Sequence, residues 1–501
     1  MVASVFNVTI NALGSDWSTR TLSKLGITVK KSEDLSEWYT QVVTKAELAD
    51  YAQMKGFMVL RPYGFSIWES IKEFLDGLLK ESGHSNAYFP LLIPESFLKK
   101  EATHFTGFTP EVFWVTQAGE NKLSERLAVR PTSETIINDS YSKWVRSWRD
   151  LPLLINVWNS VLRAEITATR PFLRTTEFLW QEGHTVHESK EDADQEVMMI
   201  LAFYKQLIED RLAAPVLTGY KSDKEKFVGA LYTTTLEAIM PDGKAMQMGT
   251  SHNLGQNFAK PFEIKFLGKD EQMHYAWTTS WGVSWRLISA MIMLHGDDRG
   301  LIVPPHIAPI QIVIVPIYYK EGGKELIDAK TKNVSETLKK AGFRVRLDSR
   351  DQYTPGWKFN EWELKGIPLR IEIGPRDVDK MQATLVRRDN RQKLTVQDTE
   401  IVDQVKKCLE EIQANLFNTA TNSLKASVHQ VDNYQEFKSA LDKQGGFLRA
   451  CWCGSTECED AVKAETGATI RTLPFKDEPT FATCIKCGKP GEKVAYFARA
   501  Y

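Results

Sequence analysis

In the stretch VWNSVLRAEITATRPFLRTTEFLWQEGH, Arg163 precedes Glu165 by two residues, a spacing that puts both side chains on one face of a strand. Arg170 and Arg174 follow in a connecting loop, and a second segment carries Phe178, Trp180, Glu182 and His184. A sheet face bearing Arg and Glu is expensive to bury unless a ligand answers it. Arg163 can hold a carboxylate and a phosphate together, Glu165 can accept from an adenine amino group, and Phe178 can stack on the base. The competing reading is a solvated hairpin, which the Phe and Trp beside the charges disfavour.

A second chemistry lies near the C-terminus. The six cysteines are Cys408, Cys451, Cys453, Cys458, Cys484 and Cys487, a poor disulfide framework for so long a chain. CWCGSTEC and CIKCG instead set two pairs beside glycines, and Cys453, Cys458, Cys484 and Cys487 can close a tetrahedral thiolate shell around structural Zn²⁺. Cys451 and Cys408 are read as spectators, and free thiols are the alternative. Other candidates are weaker. His184 and His187 form HxxH, but neighbouring residues already have roles; Met246 and Met248 around Gln247 read as core; Gly322-Gly323 lacks a phosphate-loop context and reads as a loop. The run KSDKEKF reads as a solvated face, although Lys224 and Lys226 can neighbour phosphates.

The elements that must position these groups fall into three textures. Leu35 to about Pro309 interleaves helix-like SIWESIKEFLDGLLKESG with strand-like PLLINVWNSVLRAEI. From there IQIVIVPI, KELIDAKTKNVSETLKKAG, FRVRLD, the stretch around FNEWELKG and PLRIEIG alternate strand and helix, which reads as a compact α/β unit with a partly parallel sheet. A helix-like EIVDQVKKCLEEIQANLFNTAT then leads into the cysteine region. The chain has 501 residues, room for about three domains. Its 63 basic and 64 acidic residues leave a formal charge of −1, which excludes a polybasic tail but not a nucleic-acid partner. No apolar run is long enough to span a bilayer, and MVASVFNVTINALGSD lacks a basic leader region. A soluble, cytoplasmic protein without a membrane partner is expected.

The hairpin resembles motif 2 of a class II aminoacyl-tRNA synthetase, AYFPLLIPESF with Pro90 the end of motif 1, and SWGVSWRLISAMI motif 3 with its arginine, Arg286. Taken with LAVRPTSETII, RPFLRTTEFLWQEGHT, EKFVGALYTTTLEA, GTSHNLGQNF and HGDDRGLIVPPHIAPIQIVIVPI, the chain from about Leu35 onward resembles the prolyl-tRNA synthetases of archaeal and eukaryotic type. The resemblance implies an α+β and α/β multidomain fold. A class II antiparallel sheet flanked by helices (35–308) follows an N-terminal extension (1–34), and precedes an α/β anticodon-binding domain (309–400) and a zinc-containing α/β C-terminal domain (401–501). It implies ATP-dependent activation of L-proline, transfer to the 3′ end of tRNA(Pro), a homodimer joined through motif 1, and Mg²⁺ with the phosphates.

Residue by residue, the resemblance gives Thr132 and Glu134 the prolyl ammonium and Arg163 the substrate carboxylate and the α-phosphate. Trp180, with Glu182 beside it, walls the pyrrolidine ring, and His252 closes the pocket. ATP falls to Arg163, Glu165, Arg174, Thr175, Phe178, Gln247, Thr250, Ser284 and Arg286, with Arg163 and Arg286 as the catalytic pair. Ala164 stands where the family often has Trp, and Ser284 where Thr is common. Phe359, Glu363, Arg370 and Arg376 are implied to contact the guanines of a proline anticodon, by stacking and edge recognition; a surface pair of Glu363 with Arg370 is the alternative. The segment between Gly183 and Ser280 leaves no room for an editing domain. The ending YFARAY implies that the Tyr501 carboxylate reaches back toward the catalytic domain, with simple packing of its ring as the alternative. A catalytically silent synthetase-like protein that binds tRNA or another partner is the second functional reading, and a threonyl- or seryl-type synthetase the third.

Overall fold

The computed structural model describes residues 26–501 except 103–110, 167 and 319–322. The stretch MVASVFNVTINALGSD and Gly322 lie outside the described residues. Among those described, no helix is long and apolar enough to cross a membrane.

The first unit is built on a seven-stranded sheet. Its strands are β1 (Ser85–Asn86), β2 (Leu153–Leu162), β3 (Glu177–His187), β4 (Leu217–Tyr220), β5 (Tyr232–Ile239), β6 (Ala245–Gly255) and β7 (Trp277–Ser284). They lie in the order β1-β2-β3-β7-β6-β5-β4, antiparallel except for β1 with β2. One face carries the polar side chains described below. The other meets α2 (Lys190–Gln206), which follows α1 (Glu134–Trp144) in the chain; Ile200, Leu201 and Tyr204 of α2 join Trp281, Met246 and Met248 in the largest apolar core. The two methionines are core, as their pattern suggested. Gly183 of β3 permits this packing, since a Cβ there would lie 2.0 Å from the Trp281 ring. β7 ends at Ser284, and α3 (Arg286–His295) begins two residues later.

The second unit is a five-stranded sheet of β8 (Ile312–Pro316), β9 (Val345–Leu347), β10 (Leu369–Ile373), β11 (Gln382–Arg387) and β12 (Lys393–Gln397), in the order β9-β8-β10-β11-β12. The β-branched β8 pairs in parallel with both neighbours while the remaining pairings are antiparallel, so the sheet is partly parallel. α4 (Lys324–Lys340) and α5 (Pro355–Leu364) connect its parallel strands. α6 (Ile401–Ala426), expected to open the third unit, gives its apolar stripe of Val405, Leu409, Ile412 and Leu416 to the core of the second. The third unit has a four-stranded sheet of β13 (Val428–Gln430), β14 (Phe447–Trp452), β15 (Thr469–Thr472) and β16 (Lys493–Ala498), with α7 (Thr456–Thr466) packed on it.

Candidate active site

Strand register decides which side chains meet. Along the sheet, Asn159 of β2 stands opposite Trp180, and Trp180 opposite Ser284. Two residues on, Glu182 faces Gly282, which faces Thr250; two further, a row runs His184, Ser280, His252, Thr233. Period-two alternation therefore lays three polar rows on one face. These rows floor a cavity of about 500 Å³. Thr132, Glu134, Trp180, Glu182 and His252 line it, as do Arg163, Glu165, Arg174, Thr175, Phe178, Gln247, Thr250, Ser284 and Arg286. Every residue assigned from the sequence to proline or ATP thus faces a single space.

One end of the cavity is anionic. Glu182 is buried and accepts from Asn159 Nδ2 at 2.8 Å and from Thr132 Oγ1 and the Ser133 N–H at 3.1 Å. Its other close neighbour is His184 Nε2 at 3.1 Å, and His184 Nδ1 stands 3.5 Å from Glu134. Burial by itself would push the imidazole pKa down, but the Glu134 and Glu182 carboxylates outweigh it and carry it up to about 10. Burial likewise opposes ionisation of Glu182, whose hydrogen bonds and the His184 charge nevertheless hold it down at about 2. His252 differs: burial, reinforced by the nearby His184 charge, lowers it to about 3. It bonds Thr233 Oγ1 at 2.8 Å and lies against the Phe227 ring.

The other end is cationic. Arg163 lies over Phe178 and Trp180, 5.2 and 5.6 Å from the ring centroids, with Nε directed at the Pro131 carbonyl. Arg286 Nε donates to the Leu173 carbonyl at 3.1 Å. Among the described residues, neither guanidinium has a carboxylate within ion-pair distance. Burial and then the like charge of Arg163 lower Arg286 to about 10, and burial lowers Arg163 as well. The Thr175 hydroxyl beside them is buried without a hydrogen-bond partner among the described residues. Two desolvated cations and an orphaned hydroxyl describe a site for an anion.

Several expectations change. β2 ends at Leu162, so Arg163 lies just past the strand and Ala164 and Glu165 lie in a turn. Arg163 still extends the ladder by one rung, its N–H donating to the Thr176 carbonyl at 2.8 Å. The arginine-rich loop must turn there, which ends the alternation that put both charges on one strand face. Lys224 pairs with Asp460 and Lys226 with Asp223, away from the cavity, which Lys221 lines instead. Asn159, Ser133 and Thr233 were missed. Asn159 was legible, standing four residues before Arg163 in the same alternation; Thr233 was not, because its place follows from non-local pairing with β6.

In the second unit, Glu363 and Arg370 line a smaller cavity of about 150 Å³. They do not pair with each other. Arg370 bonds Glu372 at 2.8 Å and lies 4.2 Å from the Phe359 ring, while Arg299 donates to Glu363 at 3.0 Å. Arg387, Arg388 and Arg391 also line this space, a density of cations the sequence shows in LVRRDNRQK. Arg376 is not brought to it: the residue is exposed on the short helix Pro375–Asp379.

In the third unit, one ligand atom from each of Cys453, Cys458, Cys484 and Cys487 lies within 4.8 Å of the others. Four sulfurs so gathered fit the tetrahedral shell of Zn²⁺. Cys451 accepts from the Phe481 N–H, and Cys408 is buried in α6, apart from the cluster. HxxH forms no such group; His187 bonds Thr185. Tyr501 returns to the first unit through its ring, which packs on the main core with its hydroxyl 3.7 Å from Met293 Sδ of α3. Among the described residues no cation lies within ion-pair distance of the terminal carboxylate; Lys244 sits over the Tyr501 ring and the Tyr501 N–H is tied to the Ala245 carbonyl.

Comparison with known proteins agrees with this division. Residues 113–295 match the family described as "tRNA synthetase class II core domain (G, H, P, S and T)", 311–408 match "Anticodon binding domain", and 434–501 match "Prolyl-tRNA synthetase, C-terminal". A proline--tRNA ligase of Cenarchaeum symbiosum (strain A) is 55% identical over 479 residues, spanning 95% of this chain and 100% of its own. One of Natranaerobius thermophilus is 53% identical over 473 residues, 94% of this chain and 97% of its own. The crystal structure of prolyl-tRNA synthetase from Cryptosporidium parvum complexed with halofuginone and AMPPNP superposes with a TM-score of 0.91 at 42% identity, covering 95% of this chain and 100% of that one. The comparison fixes the family and does not distinguish an archaeal and eukaryotic branch of it. With all three units matched and identity above half over nearly the full length, the chain belongs to the prolyl-tRNA synthetase family.

Proposed function

We propose that the chain is a proline–tRNA ligase that condenses L-proline with ATP to prolyl-adenylate and transfers the prolyl group to the 3′ end of tRNA(Pro). The observation that carries this is the polarity of one cavity, with Glu134, Glu182 and His184 at one end and unpaired Arg163 and Arg286 at the other. The ammonium of proline is received by Glu134 and Thr132, its ring lies against Trp180, and neutral His252 closes the pocket without adding charge. Arg163 binds the carboxylate and the α-phosphate at once, aligning the attacking oxygen with phosphorus. Arg286 meets the phosphates from the other side, where charge grows on the leaving pyrophosphate. Phe178 stacks on adenine, Glu165 accepts from its amino group, and Arg174, Thr175, Gln247, Thr250 and Ser284 complete the nucleotide site. Mg²⁺ bound with the nucleotide would neutralise phosphate charge.

The intact, desolvated arginines disfavour a silent binding protein, for which holding them unpaired would be pure cost. The pocket lining contains no cysteine, and among the described residues its histidines form no metal-ligating group, against a threonyl- or seryl-type enzyme. Residues 188–276 are spent on α2 and the catalytic strands, so alanine attached to tRNA(Pro) is not hydrolysed in cis. Glu363, Arg370 and Phe359 read the anticodon, with Arg376 reaching in only if the short helix shifts. Cys453, Cys458, Cys484 and Cys487 hold one structural Zn²⁺. Exposed Tyr88 (76%), Leu91 and Trp114 beside motif 1 are covered by a second copy in a homodimer. The enzyme works in the cytoplasm, and the domain limits are those given above, with α6 moved to the second unit. Proline-dependent ATP–pyrophosphate exchange, run against threonine, serine, alanine and cysteine, tests the assignment: exchange with proline at least about tenfold above the others is expected, and none with proline would overturn it.

A further inference from the structure

Residues 221–227, the first part of the link from β4 to β5, end on Phe227, whose ring lies 5.0 Å from that of His252 and whose N–H donates to Thr233 Oγ1 at 3.0 Å. Lys221, Glu225 and Phe227 therefore form one wall of the amino-acid end of the cavity. This segment has no helix or strand of its own, and the third unit supplies what holds it. Ser222 donates to Glu459 of α7 at 2.7 Å, Lys224 pairs with Asp460, and Lys463 lies 3.3 Å from Glu225.

Beneath it sits a buried charge cluster. Glu237 of β5 is fully buried and accepts from Lys221 Nζ at 2.6 Å and from Thr235 Oγ1 at 2.8 Å. Arg471 of β15 completes it, donating from Nη2 to both Glu237 oxygens at 3.1 and 3.0 Å and from Nε at 3.1 Å. The Arg471 carbonyl also accepts from Lys221 Nζ at 3.1 Å. Next to Arg471, the backbone of Leu473 exchanges two hydrogen bonds with Tyr220, at 2.7 and 2.8 Å, so the third unit adds a rung to the edge of the catalytic sheet. Gly219 makes the approach possible, because a Cβ there would meet the Leu473 carbonyl at 2.1 Å. A surface linking two independent domains rarely buries a bidentate arginine and an edge pairing together.

We infer that Arg471 and Glu459 are positioning residues for proline: from the third unit they fix segment 221–227, and through Phe227 and His252 the wall against which the amino acid binds. The inference rests on the assignment of this cavity to proline. Neither residue lines the cavity, so their loss should weaken proline binding and leave ATP binding alone. General loosening of the fold would instead depress turnover and both affinities together.

Steady-state ATP–pyrophosphate exchange on Arg471→Ala, Arg471→Lys and Ser222→Ala, with melting temperature and zinc content recorded, separates the two. Arg471→Ala is expected to raise KM for proline by about tenfold with KM for ATP within about twofold, and Arg471→Lys to recover part of the loss by keeping one charged donor to Glu237. Ser222→Ala, which removes one buried hydrogen bond to Glu459 and leaves the Glu237–Arg471–Lys221 cluster in place, is expected to raise KM for proline by about threefold. If Arg471→Ala does not fold, Ser222→Ala decides. A proline KM unchanged in every folded variant, or proline and ATP constants rising in step, would overturn the inference. Absence of proline-dependent exchange in the unaltered protein would instead overturn the functional assignment.

Discussion

At the anionic end of the cavity two carboxylates, Glu134 and Glu182, stand against the single imidazolium of His184, an excess of negative charge that complements a prolyl ammonium. Substituting Glu134→Gln preserves shape and removes that charge, and truncating one partner of a buried charge pair costs about 2–5 kcal/mol. KM for proline should therefore rise by roughly 30-fold or more, with KM for ATP unchanged; a proline constant that hardly moves would remove Glu134 from the ammonium site. The same group of charges sets a pH limit. His184 is raised from 6.5 to about 10, so the stability it contributes is fully present below 6.5 and is lost as pH climbs toward 10. Thermal melting between pH 7 and pH 10 should fall more steeply for the unaltered protein than for His184→Gln, and parallel curves would show that His184 is not charged in the fold. At this scale the sequence was most legible where the chemistry is local: Arg163, Phe178, Trp180 and Glu182 share one hairpin. Lys221 and Ser133 escaped because their roles depend on partners brought in by other strands.

The elements were legible in kind, since the β-branched β8 and the alternating β2 announce strands by their periodicity. Their register was not. No local pattern says that His184, Ser280, His252 and Thr233 share a row, because three separate pairings must each be fixed first. Nor did periodicity reveal where β2 would stop, which is one residue before Arg163. Gly183 shows what holds the register. It sits between Glu182 and His184, and the Trp281 ring of the next strand occupies the place its Cβ would take, packed edge-on against His84 and Tyr204. Gly183→Ala must push Trp281 or the strand aside in a close-packed core, at a cost of about 1–3 kcal/mol. The expected result is a lower denaturation midpoint together with weaker proline activation, as Glu182 and His184 are displaced with the strand. A variant as stable and active as the original would mean that β3 is not pinned by Trp281.

At the scale of the whole molecule, three units were legible from texture, but not how the third closes on the first. The aromatic ending implied docking through the Tyr501 carboxylate, with packing of its ring as the alternative, since a terminal tyrosine offers both from the same residue. The contacts in the fold are made by the ring and the backbone. Ala245 and Arg499 share a backbone hydrogen bond of 2.7 Å, the Tyr501 N–H donates to the Ala245 carbonyl, and the ring packs under Lys244 with its hydroxyl at Met293. Burial, aided by Asp242, holds the phenol above its ordinary pKa, so it remains a neutral donor. Met293 belongs to α3, whose first residue is Arg286, so the end of the chain braces the helix whose N-terminal arginine lines the cavity. Deleting Tyr501 should lower the rate of aminoacylation by about tenfold, while zinc content is retained. Extending the chain by three glycines after Tyr501 moves the carboxylate and leaves the ring in place, and this protein should aminoacylate within about twofold of the original. Equal losses in the deletion and the extension would return the contact to the carboxylate, whereas loss in the deletion alone identifies the ring as the brace on α3.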